Sequence, residues 1–311
     1  MTDIVPLISG DALKASAFKF ADEMKQRVER EQGGLHSVFE SWFTRVITRF
    51  LQFDATRSWE DSVAENALRS PAEGQGLKWD LFRLRLFLDR WQQGRFVPFS
   101  RREQSGLYYH PQYGTEFGPE VLLTCQGAPS TMRWHGLPLM KTVFDIAIYP
   151  MLLAELKPRT VFEVGSGLGA SAAWFADSLS ACGVDGRVHS VDLVKVEAQH
   201  PHVSYTQGDC SDPAHLFDPA LLQSEPHPWL VVEDAHHNVA AVLEQFHRFL
   251  APGDYLVVED SEIKREAIRT FLARHPGEYL VDTQYTDFFG RNATCAADSI
   301  FIKVKPEPAA I

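Results

Sequence analysis

Beyond about residue 132 the chain alternates short apolar runs with longer amphipathic stretches. Val161–Val164, Arg187–Val191, Val203–Gln207, Pro228–Glu233 and Asp254–Glu259 read as strands. Thr142–Leu156, Ala170–Leu179, Val239–Phe249 and Lys264–Arg274 read as helices. Tyr279–Tyr285 and Ser299–Val304 read as closing strands joined by a turn rather than a helix. Repeated strand–helix–strand units predict an α/β fold, a doubly wound and mostly parallel sheet with helices on both faces. The final pair predicts an antiparallel edge strand.

The first 95 residues carry a helical period instead. Leu13, Ala17, Phe20, Met24 and Val28 fall at three- to four-residue steps within Asp11–Glu31, and further helices are expected at Leu35–Phe53, Trp59–Leu68 and Lys78–Trp91. Their aromatic residues, at helical spacing, read as a packed core, with a lid or a dimer face over the active site as the alternative. From Gly94 to about Arg133 regularity fails, and glycines and prolines mark a long connection. Such loops often face substrates, and Tyr108, Tyr109, His110 and Tyr113 are candidates for that role or for plain surface packing. The expected division is a helical N-terminal region with its loop over 1–131, then an α/β domain over 132–311.

Composition narrows the partners. A chain of 311 residues buries a full core as one domain or two, and its net charge of −11 argues against nucleic-acid and anionic-membrane surfaces. The four cysteines, Cys125, Cys182, Cys210 and Cys295, have no paired spacing and read as free thiols in a reducing compartment. No run is long and apolar enough to span a bilayer, and the first residues do not read as a signal peptide, so a cytoplasmic location is expected.

The sharpest chemical signal is Val161-Phe-Glu-Val-Gly-Ser-Gly-Leu-Gly169, a strand running into a glycine turn and a helix. The helix turns its free N–H groups toward whatever sits on the turn. The dinucleotide fingerprint has its third glycine where this chain has Ala170. Glu163, just before the turn, would repel a pyrophosphate and suits a cationic amino acid, which favours S-adenosylmethionine. Glu163, Gly165, Ser166 and Gly167 are therefore candidate cofactor residues. Asp192, ending the next strand, is placed to bind ribose hydroxyls. Asp209 and Cys210, after the strand at Val203, are placed near the base, where Asp209 accepts from an adenine amino group. A purely structural glycine turn is the alternative.

A second constellation lies at the ends of the next two strands, Leu230-Val-Val-Glu-Asp-Ala-His-His-Asn238 and Tyr255-Leu-Val-Val-Glu-Asp-Ser261. In a parallel sheet both ends lie on the ligand-binding rim. Asp234, Glu259 and Asp260 would converge there, and gathered carboxylates repel unless a cation or proton holds them together. Oxygen ligands suit a hard divalent ion, most naturally Mg²⁺. Such an ion eases deprotonation of a bound hydroxyl, and His237, three residues past Asp234, is placed to take the proton. The competing reading makes Asp234 and Asp260 caps of the helices that follow, and His236 and His237 surface residues.

These residues resemble the class I methyltransferases and, more narrowly, the cephalosporin-hydroxylase-like family, which includes Mg²⁺-dependent sugar O-methyltransferases of macrolide and rhamnosyl pathways. The resemblance spans about Met132 to Lys303. It rests on Trp134-His-Gly-Leu-Pro-Leu-Met-Lys141 followed by Asp145 and Tyr149, on His200-Pro-His-Val203 before Gly208-Asp209, and on Leu256-Val-Val-Glu-Asp-Ser261. It implies a Rossmann-like methyltransferase fold, a cofactor site at Glu163, Gly165, Gly167 and Asp192, metal ligands Asp234, Glu259 and Asp260, and His237 as base. Where many members show Leu-Asp-Ser-Asp-His-Ser, this chain has Glu233-Asp-Ala-His-His-Asn238, so the second Asp is His236. The expectation is an S-adenosylmethionine-dependent methyltransferase acting on a hydroxyl of a small specialised metabolite, assisted by Mg²⁺, and assembled as a homo-oligomer. The alternatives are a metal-free N- or C-methyltransferase, an enzyme that cyclises the cofactor, and a non-catalytic assembly partner.

Overall fold

The structure, a computed structural model, describes residues 94–104 and 119–306. The helices expected over 11–91 and the aromatic residues Tyr108, Tyr109, His110 and Tyr113 lie outside the described residues. The chain divides into two compact units, Met1–Gly94 and Arg95–Ile311. The described residues 95–104 and 119–306 all belong to the second unit.

Among the described residues that unit has a sheet of eight strands: β1 (Phe96–Val97), β4 (Thr160–Val164), β5 (Arg187–Asp192), β6 (Val203–Gln207), β7 (Trp229–Glu233), β8 (Tyr255–Val258), β9 (Tyr279–Asp282) and β10 (Ile300–Lys303). Their order across the sheet is β1-β9-β10-β8-β7-β4-β5-β6. Pairings among β4 to β8 are parallel. β10 is antiparallel to both β8 and β9, and β1 runs antiparallel along β9. The antiparallel edge strand is thus β1, from the stretch read as loop, while β9 and β10 lie one and two places further in. Two residues of β-pairing leave too little periodicity to see in a sequence. A small hairpin, β2 (Arg133–Trp134) with β3 (Leu137–Pro138), stands apart from the sheet.

The helices are α1 (Phe99–Gln104), α2 (Pro119–Thr124), α3 (Asp145–Leu156), α4 (Ala170–Ala181), α5 (Pro219–Ser224), α6 (Val239–His247), α7 (Arg265–Arg274) and α8 (Thr283–Thr286). The strand expected over 279–285 therefore stops at Asp282, whose carboxylate accepts from the Gln284 N–H at 3.0 Å and turns the chain into α8. The other boundaries move by up to three residues.

Alternation within the strands sends side chains to two cores. Phe162, Trp229 and Val231 meet Val242 and Phe246 of α6 and Ile268 and Phe271 of α7. Val161, Leu230 and Val232 meet Ile148 and Leu152 of α3 and Trp174 and Phe175 of α4. A strand buried on both faces requires this double covering, which is why the parallel strands read as continuous apolar runs. All four cysteines are free, and among the described residues no helix is long and apolar enough to cross a membrane.

The segment between β9 and β10 is held by charge. Arg102 of α1, 1% exposed, donates from Nη1 and Nη2 to Asp287 and from Nε to Asp298, each at 2.7 Å. Its Nη2 also reaches Asn292 Oδ1 at 3.2 Å. Removing one partner of a buried ion network strands the others away from water, at a cost of about 3–5 kcal/mol. Arg102→Met is therefore expected to lower the unfolding free energy by about that amount in urea titration, whereas the exposed-pair variant Lys195→Met, beside Glu197, changes it by less than about 1 kcal/mol.

Candidate active site

At the carboxyl ends of β4, β5, β7 and β8 the sheet opens a cavity of about 650 Å³. Parallel strands turn outward in opposite directions on either side of β4, and the crevice between those turns is where such sheets bind ligands. Gly165, Ser166, Gly167, Asp192, Asp209, Cys210, Asp234, His237, Glu259 and Asp260 all line it. Glu163 is fully buried in β4 and does not belong to the lining.

The glycine turn is packed tightly on one side and open on the other. Gly165, at φ +95°, would bring a Cβ within 2.8 Å of the Asp234–Ala235 backbone, so only glycine lets β4 pass so near β7. Gly167, at φ +56°, would bring a Cβ against nothing within 4 Å. The space beside it is part of the cavity. Helix α4 begins at Ala170, straight after the turn.

Two polar atoms beside this turn have no hydrogen-bond partner, Glu163 Oε1 and Ser166 Oγ. Glu163 Oε2 accepts from Ser190 Oγ at 2.8 Å. Burial pushes the Glu163 carboxyl up to about 7, against the lowering pull of Lys141. An unpaired buried carboxylate oxygen costs free energy that a cationic ligand group recovers. Asp192 accepts from Gly167 N at 2.7 Å and from Val194 N at 2.9 Å, which fixes its carboxylate across the turn. Asp209 accepts from Ser211 N at 2.8 Å, a bond that holds its carboxyl below the usual range. Cys210 is nine-tenths buried, and burial pushes its thiol up to about 11, so it packs rather than reacts.

The acidic end of the cavity is organised by a residue whose role the sequence did not reveal. Lys141, 1% exposed, pairs with Glu259 and donates to Asp234 Oδ2 at 3.2 Å. Burial alone would lower its ammonium, but Glu259 and then Asp234 hold it well above its usual range. Glu259, 2% exposed, also accepts from the Tyr149 hydroxyl at 2.5 Å. Burial raises its carboxyl well above the usual carboxylate range, with Lys141 opposing. Lys141 and Tyr149 stood in the sequence motif beside Asp145, and only the folded chain assigns them a function. Asp145 anchors the same segment, accepting from Thr142 Oγ1 at 2.5 Å and Thr294 Oγ1 at 2.6 Å.

Asp260 and Asp234 do not cap helices. Helix α6 starts behind Asn238 and α7 behind Lys264, neither with a side-chain cap. The Asp260 carboxylate instead meets His236, with Oδ2 2.9 Å from Nε2, and Asp234, His236 and Asp260 present ligand atoms within 4.8 Å of one another. His237 Nε2 lies 3.2 Å from Ser211 Oγ at the cavity wall. The three carboxylates named by sequence thus divide: Asp234 and Asp260 gather with His236, and Glu259 stands behind them against Lys141 and Tyr149.

Residues 127–279 match the family model described as rhamnosyl O-methyltransferase/CmcI. Rhamnosyl O-methyltransferase of Mycobacterium leprae (strain TN) is 30% identical over 181 residues, covering 52% of this chain and 79% of the relative. The enzyme of the same description from Mycobacterium bovis (strain BCG / Pasteur 1173P2) is 30% identical over 178 residues, covering 50% and 73%. An apo structure of CmcI shares 25% identity at a TM-score of 0.50, covering 61% of this chain and 85% of that one. A Mg-SAM structure of CmcI has 22% identity and a TM-score of 0.50, with 69% and 99% covered, a likeness of fold. The strand order, the glycine turn and these relatives define a Rossmann-like methyltransferase. The chain belongs to the rhamnosyl O-methyltransferase/CmcI family.

The raised Glu163 carboxyl has a measurable consequence. Its folded value of about 7 lies above its unfolded 4.5, so between those pH values the folded chain binds more protons. Stability from this group is complete below pH 4.5 and is lost as pH rises to about 7, by at most ~3 kcal/mol. Glu163→Gln is expected to flatten that portion of the pH–stability curve in chemical denaturation.

Proposed function

We propose that this chain is an S-adenosylmethionine-dependent O-methyltransferase acting on a hydroxyl of a small specialised metabolite, with a divalent cation at the acidic end of its cavity and a homo-oligomeric assembly. The observation that carries the reading is the pair of unpartnered polar atoms, Glu163 Oε1 and Ser166 Oγ, flanking an open glycine turn. A ligand with both ammonium and carboxylate groups satisfies such a pair, and a dinucleotide does not. The Mg-SAM form of CmcI supports the same choice of cofactor and ion.

When bound, S-adenosylmethionine supplies an electrophilic sulfonium methyl, and a divalent ion supplies positive charge beside the acceptor hydroxyl. Glu163 and Ser166 would hold the amino-acid end, Asp192 the ribose hydroxyls, and Asp209 with Cys210 the base. Asp234 and Asp260 are the carboxylates that would hold the ion, with Glu259 held behind them by Lys141 and Tyr149. His237, which lines the same cavity, would take the proton from the acceptor hydroxyl. Met140, Leu168 and Leu193, all exposed apolar residues on the cavity lining, would exclude water from the transfer and meet the apolar part of the acceptor.

Titration calorimetry of the full chain with S-adenosylmethionine tests the cofactor assignment. Saturable binding is expected, weakened at least tenfold in Glu163→Gln, and absence of binding heat overturns the reading. In assays over a panel of free-hydroxyl glycosides, S-adenosylhomocysteine is the expected product. Positioned general bases contribute typically 10²–10⁴-fold, so His237→Asn is expected to lower kcat by roughly that factor. Its cofactor Kd, measured in parallel, separates lost catalysis from lost binding, because His237 lies against Ser211, next to Asp209 and Cys210. Unchanged kcat would remove His237 from that role.

A further inference from the structure

We propose that His236 is a metal ligand through Nε2, making this a mixed nitrogen–oxygen site that also takes borderline divalent ions such as Mn²⁺ and Zn²⁺. The inference rests on the reading above that a divalent ion binds at this end of the cavity.

The geometry specifies the imidazole tautomer. His236 Nδ1 lies 2.9 Å from the backbone carbonyl oxygen of Asp234, and a carbonyl only accepts, so Nδ1 carries the proton. Nε2 is then the ring atom left to face the acidic residues. It stands 2.9 Å from Asp260 Oδ2, and both atoms lie within 4.8 Å of an Asp234 carboxylate oxygen. A proton, or a cation bound by both groups, holds a ring nitrogen and a carboxylate oxygen at that distance, and with Asp234 turned to the same point a metal ion satisfies all three. A ring nitrogen bonded to a backbone carbonyl is the outer-shell arrangement that orients the opposite nitrogen of metal-binding histidines.

Backbone conformation points the same way. His236 and Asp260 both sit at positive φ, +59° and +47°, where side-chain-bearing residues are seldom found. Two neighbouring strand ends thus each hold a ligand-bearing residue in a left-handed turn, and both turns aim their side chains at one point. Such strain persists where the surrounding structure imposes it, and it concentrates at ligand clamps. Asp234, two residues before His236 on the same strand end, completes the set, its carboxylate already touching Lys141. Lys141 supplies one positive charge to Asp234 and Glu259 and none to the His236–Asp260 pair among the contacts described.

An imidazole nitrogen changes the ion preference. Carboxylate and water ligands suit Mg²⁺, whereas imidazole favours Zn²⁺ and its neighbours. The probe is Mn²⁺ added to the metal-stripped full chain, read by electron paramagnetic resonance. Bound Mn²⁺ is expected to show ¹⁴N modulation in its spin echo, retained in His237→Asn and absent in His236→Asp, which keeps an oxygen donor at the position. Zn²⁺ is expected to displace the Mn²⁺ at least 100-fold more effectively than Mg²⁺ does, with the gap narrowed at least tenfold in His236→Asp. Bound Mn²⁺ without ¹⁴N modulation, or a gap unchanged in His236→Asp, overturns the proposal while leaving the metal reading intact. No Mn²⁺ binding overturns both, and the cofactor titration decides separately whether the methyltransferase assignment stands.

Discussion

The buried charge of Lys141 is the constraint on which the site depends. Asp234 and Glu259 end neighbouring parallel strands, so the sheet itself brings two carboxylates into one corner. Nothing in strand pairing neutralises them. The segment before α3 does, by sending Lys141 into the corner and Tyr149 alongside it. A buried ammonium between two carboxylates is favourable only when all three are present, because each group alone has lost its water. The acidic corner, the approach segment and α3 therefore stand or fall together. This couples residues more than a hundred positions apart.

The same arrangement separates two kinds of carboxylate. Glu259 is enclosed, proton-binding by tendency and fully engaged with protein groups. Asp260, its neighbour in sequence, is exposed and turned by a left-handed backbone toward His236. One residue of separation at a strand end is enough to place one acid inside the protein and the next at its open face. The site thus has a rigid, charge-balanced floor and an open ligand-facing rim. Catalysis by alignment requires such a division, since the reacting groups must be held by something that does not itself exchange with solvent.

A parallel case holds at the cofactor end. Glu163 is carried by β4, buried on both faces, while the turn after it is loose on the cavity side and tight against β7. Burial holds this carboxyl toward its protonated form until a cationic group arrives. Its unpaired oxygen is a cost accepted by the apo fold in exchange for a receptive site, of a kind seen where function competes with stability.

Sequence by itself determined the alternating α/β order, the two-faced burial of β4 and β7, the glycine turn, and which acids end which strands. These are set by periodicity and by local backbone chemistry within a few residues. Hydrophobic alternation also sorted Phe162 from Val161 and Trp229 from Leu230 onto opposite cores. Tertiary structure alone decided the rest. It inserted β10 between β8 and β9, drew β1 out of an irregular stretch, and gave Lys141 and Tyr149 their partner in Glu259. It also turned Asp234 and Asp260 away from capping and toward His236. Each of these depends on which distant charge or strand edge must be satisfied, and a single chain read in order does not say which buried group will meet which.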